Sequence, residues 1–220
     1  LLVQIEFLLF RVLENGYKTS QMRLIKEFSH NPELLFQLVE LTYKPDDESD
    51  EHLADIASKN DTALREHASY ILLFGKNIVS FVDNNGEING AFMNQYIDQL
   101  YKLAKQKKRE KAIDYVVGDI LGDIPRDGDY PPTALCELVE RLNSDIVDQH
   151  IRIRIFNSRG LTSRTYNEGG DQERNIALKL KDYREKTKLS YPRMTKIFDD
   201  LITEYQRQAK YEDDEASIMD

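Results

Sequence analysis

The chain has 220 residues, of which 40% are hydrophobic and 31% are charged, a composition typical of a globular protein that can bury a core. Its formal net charge of -9 argues against a general nucleic-acid binder, because the phosphate backbone would be repelled on average. The single cysteine, Cys136, excludes an intramolecular disulfide framework and fits a reducing compartment such as the cytoplasm. Within TALCELVERL it is interpreted as a small apolar helix residue rather than a nucleophile.

The chain begins LLVQIEFLLF, without methionine or a signal peptide and already with helical periodicity, so we expect it to be an excerpt of a longer protein. No apolar run approaches the ~18 residues needed to cross a membrane, so no membrane association is expected. The first helix is expected to end near Asn15-Gly16. Its apolar residues mark one face: Leu2, Ile5, Leu8, Leu9 and Val12.

Two further helices follow after short connections, which favours antiparallel packing. Thr19 or Ser20 is expected to cap the second helix, with Met22, Ile25 and Phe28 inward. The dipeptide Asn31-Pro32 provides a cap and a proline at the first helical position of the third.

Three polar segments interrupt the helical pattern. PDDESDE (Pro45 to Glu51) is predicted to be a solvated acidic loop rather than a metal site. DNNGEING (Asp83 to Gly90) fails as a calcium loop in both registers and is predicted to form turns. KQKKREK (Lys105 to Lys111) is interpreted as a solvated helix end whose lysines complement the helix dipole, with contact to RNA or DNA as the alternative.

The second half continues the helical periodicity after GDIPRDGDYPP, a connector near 122–132 that is a candidate sub-domain break. HIRIRIF alternates like a strand, but its helical neighbours favour a helix. The last helix, from Tyr191 to Tyr211, is expected to pack one face against the domain: Met194, Ile197, Phe198, Leu201, Ile202, Tyr205 and Ala209. We therefore predict a single all-α domain over 1–220, either a multi-helical bundle or an irregular solenoid of helical hairpins.

The usual catalytic signatures are missing, including a phosphate loop, HExxH, GxSxG and paired cysteines. The four histidines have no spacing that indicates a shared metal site: His30, His52, His67 and His150. We expect no catalytic residues, no metal and no cofactor.

The segment NSRGLTSRTYNEGGDQER (Asn157 to Arg174) has two interpretations. A helix start preceded by glycines can bind an anion, with Arg159, Arg164, Arg174, Gly169 and Gly170 as the candidate residues. Asp171 and Glu173 weaken this interpretation, because they place negative charge in the first turn. In the structural alternative Asp171 caps the helix, the glycines permit turns, and the arginines pair with carboxylates of neighbouring helices.

Four strings in the sequence carry a resemblance: NSRG (Asn157 to Gly160), EGGDQER (Glu168 to Arg174), the segment from Tyr191 to Ala216, and the segment from Gly16 to Pro45. The chain resembles the closing region of a group of long, multi-domain bacterial proteins, some of them linked to defence against phage. The resemblance implies a helical C-terminal region attached to other domains, and it implies no catalytic motif.

Two functions are compatible with these observations. The first is a non-enzymatic helical scaffold or sensing region that binds another protein or the other domains of its parent. The alternative is a regulatory module that binds a phosphorylated ligand, a nucleotide or nucleic acid through the loop at 157–174. An independent enzyme is disfavoured, because no nucleophile, base and orienting group can be assembled from the spacing.

Overall fold

A computed structural model describes residues 2–13, 22–47, 59–75, 77–83, 86–126, 128–160 and 169–218. These residues form ten α-helices: α1 (Leu2–Leu13), α2 (Arg23–His30), α3 (Pro32–Thr42), α4 (Lys59–Phe74), α5 (Gly90–Lys107), α6 (Glu110–Gly122), α7 (Thr133–Leu142), α8 (Asp145–Asn157), α9 (Asp171–Thr187) and α10 (Pro192–Ile218). Within the described ranges the β-pairing is limited to one isolated bridge, between Val82 and Ile88. The predicted all-α fold is confirmed.

The chain divides into two compact units, Leu1–Ile120 and Leu121–Asp220. None of the described helices combines the length and the apolar character needed to cross a membrane.

In the first unit, α1 and α2 are joined by a carboxylate. Glu6 of α1 accepts a hydrogen bond from the backbone N–H of Leu24 at 2.6 Å, which satisfies one of the unpaired donors at the start of α2. The N-cap residue of α2 is Met22, whose side chain makes no capping hydrogen bond. The prediction of a Thr19 or Ser20 cap is therefore wrong, and both residues lie outside the described part of the chain.

The start of α3 follows the sequence prediction. Asn31 is the N-cap, its side chain accepts from the N–H of Leu34 at 3.1 Å, and Pro32 occupies the first helical position. The predicted turn at 83–90 is also present where the structure describes it. Gly86 has a φ of 84°, and Asp83 accepts a hydrogen bond from the N–H of Glu87 at 3.0 Å.

The basic run at 105–111 spans the end of α5 and the start of α6, as predicted for a helix end. Lys105 and Lys107 lie in the last turn of α5, and Lys108 adopts the left-handed conformation that ends the helix. Lys108 pairs with Asp47 at 2.5 Å, and Asp46 accepts from the N–H of Lys111 at 3.2 Å. The described part of the acidic segment therefore contacts the basic run.

The second unit is organised around α10, which contacts α7, α8 and α9. Its predicted inward face is buried throughout: Met194, Ile197, Phe198, Leu201, Ile202, Tyr205 and Ala209. The segment HIRIRIF lies in α8 and is helical. Its buried residues are Val147, Ile151 and Ile155, four apart, which is the spacing of a helix face and not of a strand.

Two side chains fix the start of α10 to its neighbours. Glu140 of α7 accepts from the backbone N–H of Arg193 at 2.8 Å. The guanidinium of Arg193 in turn pairs with Asp148 of α8 at 2.7 Å. Burial raises the pKa of Asp148, while the contact with Arg193 opposes that rise. Cys136 is buried in α7 as predicted, and burial raises the pKa of its thiol to about 12, which disfavours the thiolate at neutral pH.

Candidate functional site

The loop that the sequence marks for anion binding connects α8 to α9. Gly160 has a φ of 72° and Gly169 a φ of 54°, a conformation in which side chains are strained. Residues 161–168 lie outside the described part of the chain, and they include Arg164. The structure therefore places four of the five candidate residues, namely Arg159, Gly169, Gly170 and Arg174.

Arg159 is partly buried in the second unit. Its guanidinium forms an ion pair with Glu173 of α9; the Arg159 side chain is 15% exposed and the Glu173 side chain is 0% exposed. The guanidinium carbon also lies 6.0 Å from the centre of the Tyr205 ring, within the range of a cation–π contact. Arg159 thus links the end of α8 to α9 and α10.

The N-terminus of α9 is occupied by a carboxylate of the chain itself. Asp213 of α10 accepts a hydrogen bond from the backbone N–H of Gly170 at 2.9 Å. Arg174 donates to the other oxygen of Asp213 at 2.7 Å and pairs with Asp171 at 2.7 Å. The hydrogen bond from Arg174, assisted by that from Gly170, lowers the pKa of Asp213 to about 2. The start of α9, which could otherwise bind an anion from solution, therefore binds the carboxylate of Asp213.

Gly170 and not Asp171 is the N-cap of α9, and it makes no side-chain capping bond. The predicted Asp171 cap is therefore wrong. The physical reason is the close approach of two helices, because a Cβ atom at Gly170 would overlap the backbone of Ala209. With α10 this close, Asp213 from the neighbouring helix supplies the acceptor that a local cap would otherwise provide.

A groove of about 330 Å³ runs along the surface between α9 and α10. Arg174 and Lys181 of α9 and Lys210 of α10 line it, together with Asp213. Lys181 and Lys210 were not predicted as site residues, because in sequence each looks like an ordinary exposed lysine on a helix. Their shared position results from antiparallel packing of two helices whose contacting residues are about 30 to 40 positions apart.

The first unit has a different feature, the exposed apolar face of α1. Five aliphatic side chains on this helix are between 42% and 71% exposed. They are Leu2, Ile5, Leu8, Leu9 and Val12. The opposite side is anchored by Phe10, which is fully buried, and by Phe7, whose ring lies 4.9 Å from that of His67 in α4.

No group of three His, Cys, Asp or Glu side chains within the described ranges is arranged to hold a metal ion; His52 lies outside those ranges. Comparisons with protein-family models, curated proteins and solved structures gave no match to this chain. The proposals below therefore rest on the geometry of the described residues.

Proposed function

We propose that this chain is a non-enzymatic helical interaction region and that the apolar face of α1 is a docking surface for a protein partner. The exposure of five aliphatic side chains on one helix carries the proposal. Scattered exposed leucines are common, but a continuous apolar face on an anchored helix is typical of a binding site. Leu2, Ile5, Leu9 and Val12 are spaced by three, four and three residues, the spacing of anchors on helices that bind in grooves.

The size of α1 indicates what kind of partner fits. A helix of 12 residues is about 18 Å long, whereas stable interfaces bury roughly 800 Å² on each partner. A single facing helix of the same length would bury too little area. A hydrophobic groove that surrounds the apolar face on two sides buries more of it, so we propose a grooved partner surface with few charges.

The contacts of the second unit support a scaffold over the alternative of a phosphate-binding module. Arg159 pairs with a buried carboxylate, and the N-terminus of α9 holds Asp213. Both groups are therefore engaged by the chain itself. Anion binding through Arg159, Arg164, Arg174, Gly169 and Gly170 stays a prediction, which a thermal melt with and without nucleotides and short oligonucleotides tests directly.

The sequence resemblance supports the biological setting of the proposal. We propose that the chain acts in the cytoplasm of a bacterium, as part of a larger protein that takes part in defence against phage. Its partners are then another protein or the other domains of its parent, which would supply the groove for α1.

The test is a double substitution, Leu8→Glu with Val12→Glu, in the two most exposed residues of the α1 face. We expect the variant to melt like the parent chain, because both side chains lie in water, and to lose a stoichiometric protein partner in co-purification. Leu189→Glu is the matched control, since Leu189 is 91% exposed in the second unit. A partner retained by the double variant, or lost equally in the control, contradicts the proposal.

A further inference from the structure

The groove between α9 and α10 has a charge that differs from that of the chain as a whole. Three cationic side chains and one carboxylate line it, namely Arg174, Lys181, Lys210 and Asp213, whereas the chain has a net charge of -9. Arg174 and Asp213 pair with each other at one end. Lys181 and Lys210 are exposed, and in the described part of the chain neither has an ion-pair or hydrogen-bond partner.

The floor of the groove between these cations is apolar. Ala177 and Ala209 are buried, and Leu178 is 57% exposed. On α9 the lining residues follow the spacing 174, 177, 178 and 181, and on α10 they follow 206, 209, 210 and 213. Both sets are the consecutive turns of one helix face. The groove therefore follows one face of each helix, with apolar side chains between Lys181 on α9 and Lys210 on α10.

We propose that this groove binds an acidic amphipathic helix of a partner protein. The apolar floor and the small alanines permit a third helix to lie between α9 and α10. Glutamate or aspartate side chains on that helix would then face Lys181 and Lys210, and this charge complementarity selects an acidic segment and excludes a basic one. A compact phosphate-bearing ligand is disfavoured, because the N–H of Gly170, the backbone donor at this end of α9, is bonded to Asp213.

The groove is independent of the docking surface proposed for α1. It lies in the second unit, it has charged edges, and it suits an acidic helix, whereas the apolar face of α1 suits an uncharged groove. The α1 of a second copy is a poor occupant, because its acidic side chain, Glu6, is bonded to Leu24. The chain then has two docking surfaces of different chemistry, one in each unit.

Fluorescence anisotropy with a labelled synthetic peptide tests the proposal on the full 220-residue chain. The probe is an 18-residue amphipathic helix with leucine and alanine on one face and glutamate on both flanks; the control peptide has lysine in place of every glutamate. We expect saturable binding of the acidic peptide and none of the basic one. Lys181→Glu and Lys210→Glu should each weaken binding about tenfold, since like charges would then face each other.

Lys179→Glu is the matched control variant, because Lys179 is exposed on α9 outside the groove and the change in net charge is the same. It should change the affinity less than twofold, and Leu178→Ser should weaken binding without lowering the melting temperature. Equal binding of both peptides, or equal weakening by Lys179→Glu, overturns the proposal. Binding of ATP that is lost in Lys181→Glu, without binding of the acidic peptide, overturns it in favour of a small-anion site.

Discussion

The helices α1 and α10 have the same apolar signal in sequence and opposite environments in the structure. Seven apolar residues of α10 recur at three- and four-residue intervals, and none is more than 8% exposed. Five aliphatic residues of α1 recur at similar intervals and are at least 42% exposed. Periodicity therefore identifies a helix and its apolar face, but it carries no information about what covers that face.

The two helices are nevertheless attached to their neighbours by the same kind of contact. Asp213 of α10 accepts from the backbone N–H of Gly170 at the start of α9, and Glu6 of α1 accepts from Leu24 near the start of α2. The difference lies in packing, because α10 contacts three helices of its unit. We infer that the α10 face stabilises the fold, whereas the α1 face is available to a partner.

The largest expected effect is on the free energy of unfolding, and it is tested with one substitution on the apolar face of α10 and one on that of α1. Phe198→Ala should lower the free energy of unfolding by ~3–5 kcal/mol, because it removes a fully buried ring and leaves a cavity. Leu8→Ala should change it by less than ~0.5 kcal/mol, because that side chain is already in water. Urea unfolding followed by circular dichroism measures both values. Similar losses in the two variants would show that the face of α1 is covered within the chain.

The next effect concerns the link between α8 and α9. Arg159→Ala should lower the free energy of unfolding by about 3 kcal/mol, because it leaves the carboxylate of Glu173 buried without its cation. Arg207→Ala is the control, since Arg207 pairs with Glu204 at the surface and should have little effect. If Arg159→Ala melts like the parent chain, the ion pair with Glu173 contributes little to stability, and the ligand-binding alternative gains support.

Local signals in the sequence were sufficient to predict much of the fold. The dipeptide Asn31-Pro32 identified the start of α3, and the helical neighbours of HIRIRIF correctly outweighed its strand-like alternation. The start of α9 at Asp171 was predicted correctly. The groups that bind the first backbone N–H groups of α2 and α9 were missed, because Glu6 and Asp213 lie 18 and 43 residues away from the donors. A capping motif is readable only when donor and acceptor lie within one turn.

The candidate sites were less predictable for the same reason. The structural interpretation predicted that Arg159 pairs with a carboxylate of a neighbouring helix, but the sequence did not identify Glu173 as that partner. Arg174 was predicted only as an anion-site residue, and its pair with Asp213 was not predicted. The α9–α10 groove was missed altogether, because Lys181 and Lys210 come together only after the two helices pack antiparallel. Arg164, the remaining arginine of the predicted anion site, lies outside the described residues.

The smallest expected effect concerns Asp213, the residue whose carboxylate joins α10 to the start of α9. The pKa of Asp213 is lowered from 3.8 to about 2 by Arg174 and Gly170, so the charged form is favoured by folding. Its contribution to stability is therefore fully present well above pH 3.8, declines as the pH falls below about 5, and is lost as the pH falls through about 2. The difference in unfolding free energy between the parent chain and Asp213→Asn should be constant from pH 7 to about pH 5. Below about pH 5 this difference should shrink, because protonation of Asp213 in the parent chain removes the same negative charge that the substitution removes.

Asp214→Asn controls for the loss of one negative charge, because Asp214 is the exposed neighbour of Asp213 on α10. Its effect on unfolding should be smaller than that of Asp213→Asn at neutral pH. If the difference in unfolding free energy between the parent chain and Asp213→Asn stays unchanged down to about pH 2, the side chain of Asp213 stabilises the fold through its shape and not through its charge. The contact between α9 and α10 would then depend on apolar packing and on the ion pair between Arg184 and Asp199 at 2.9 Å.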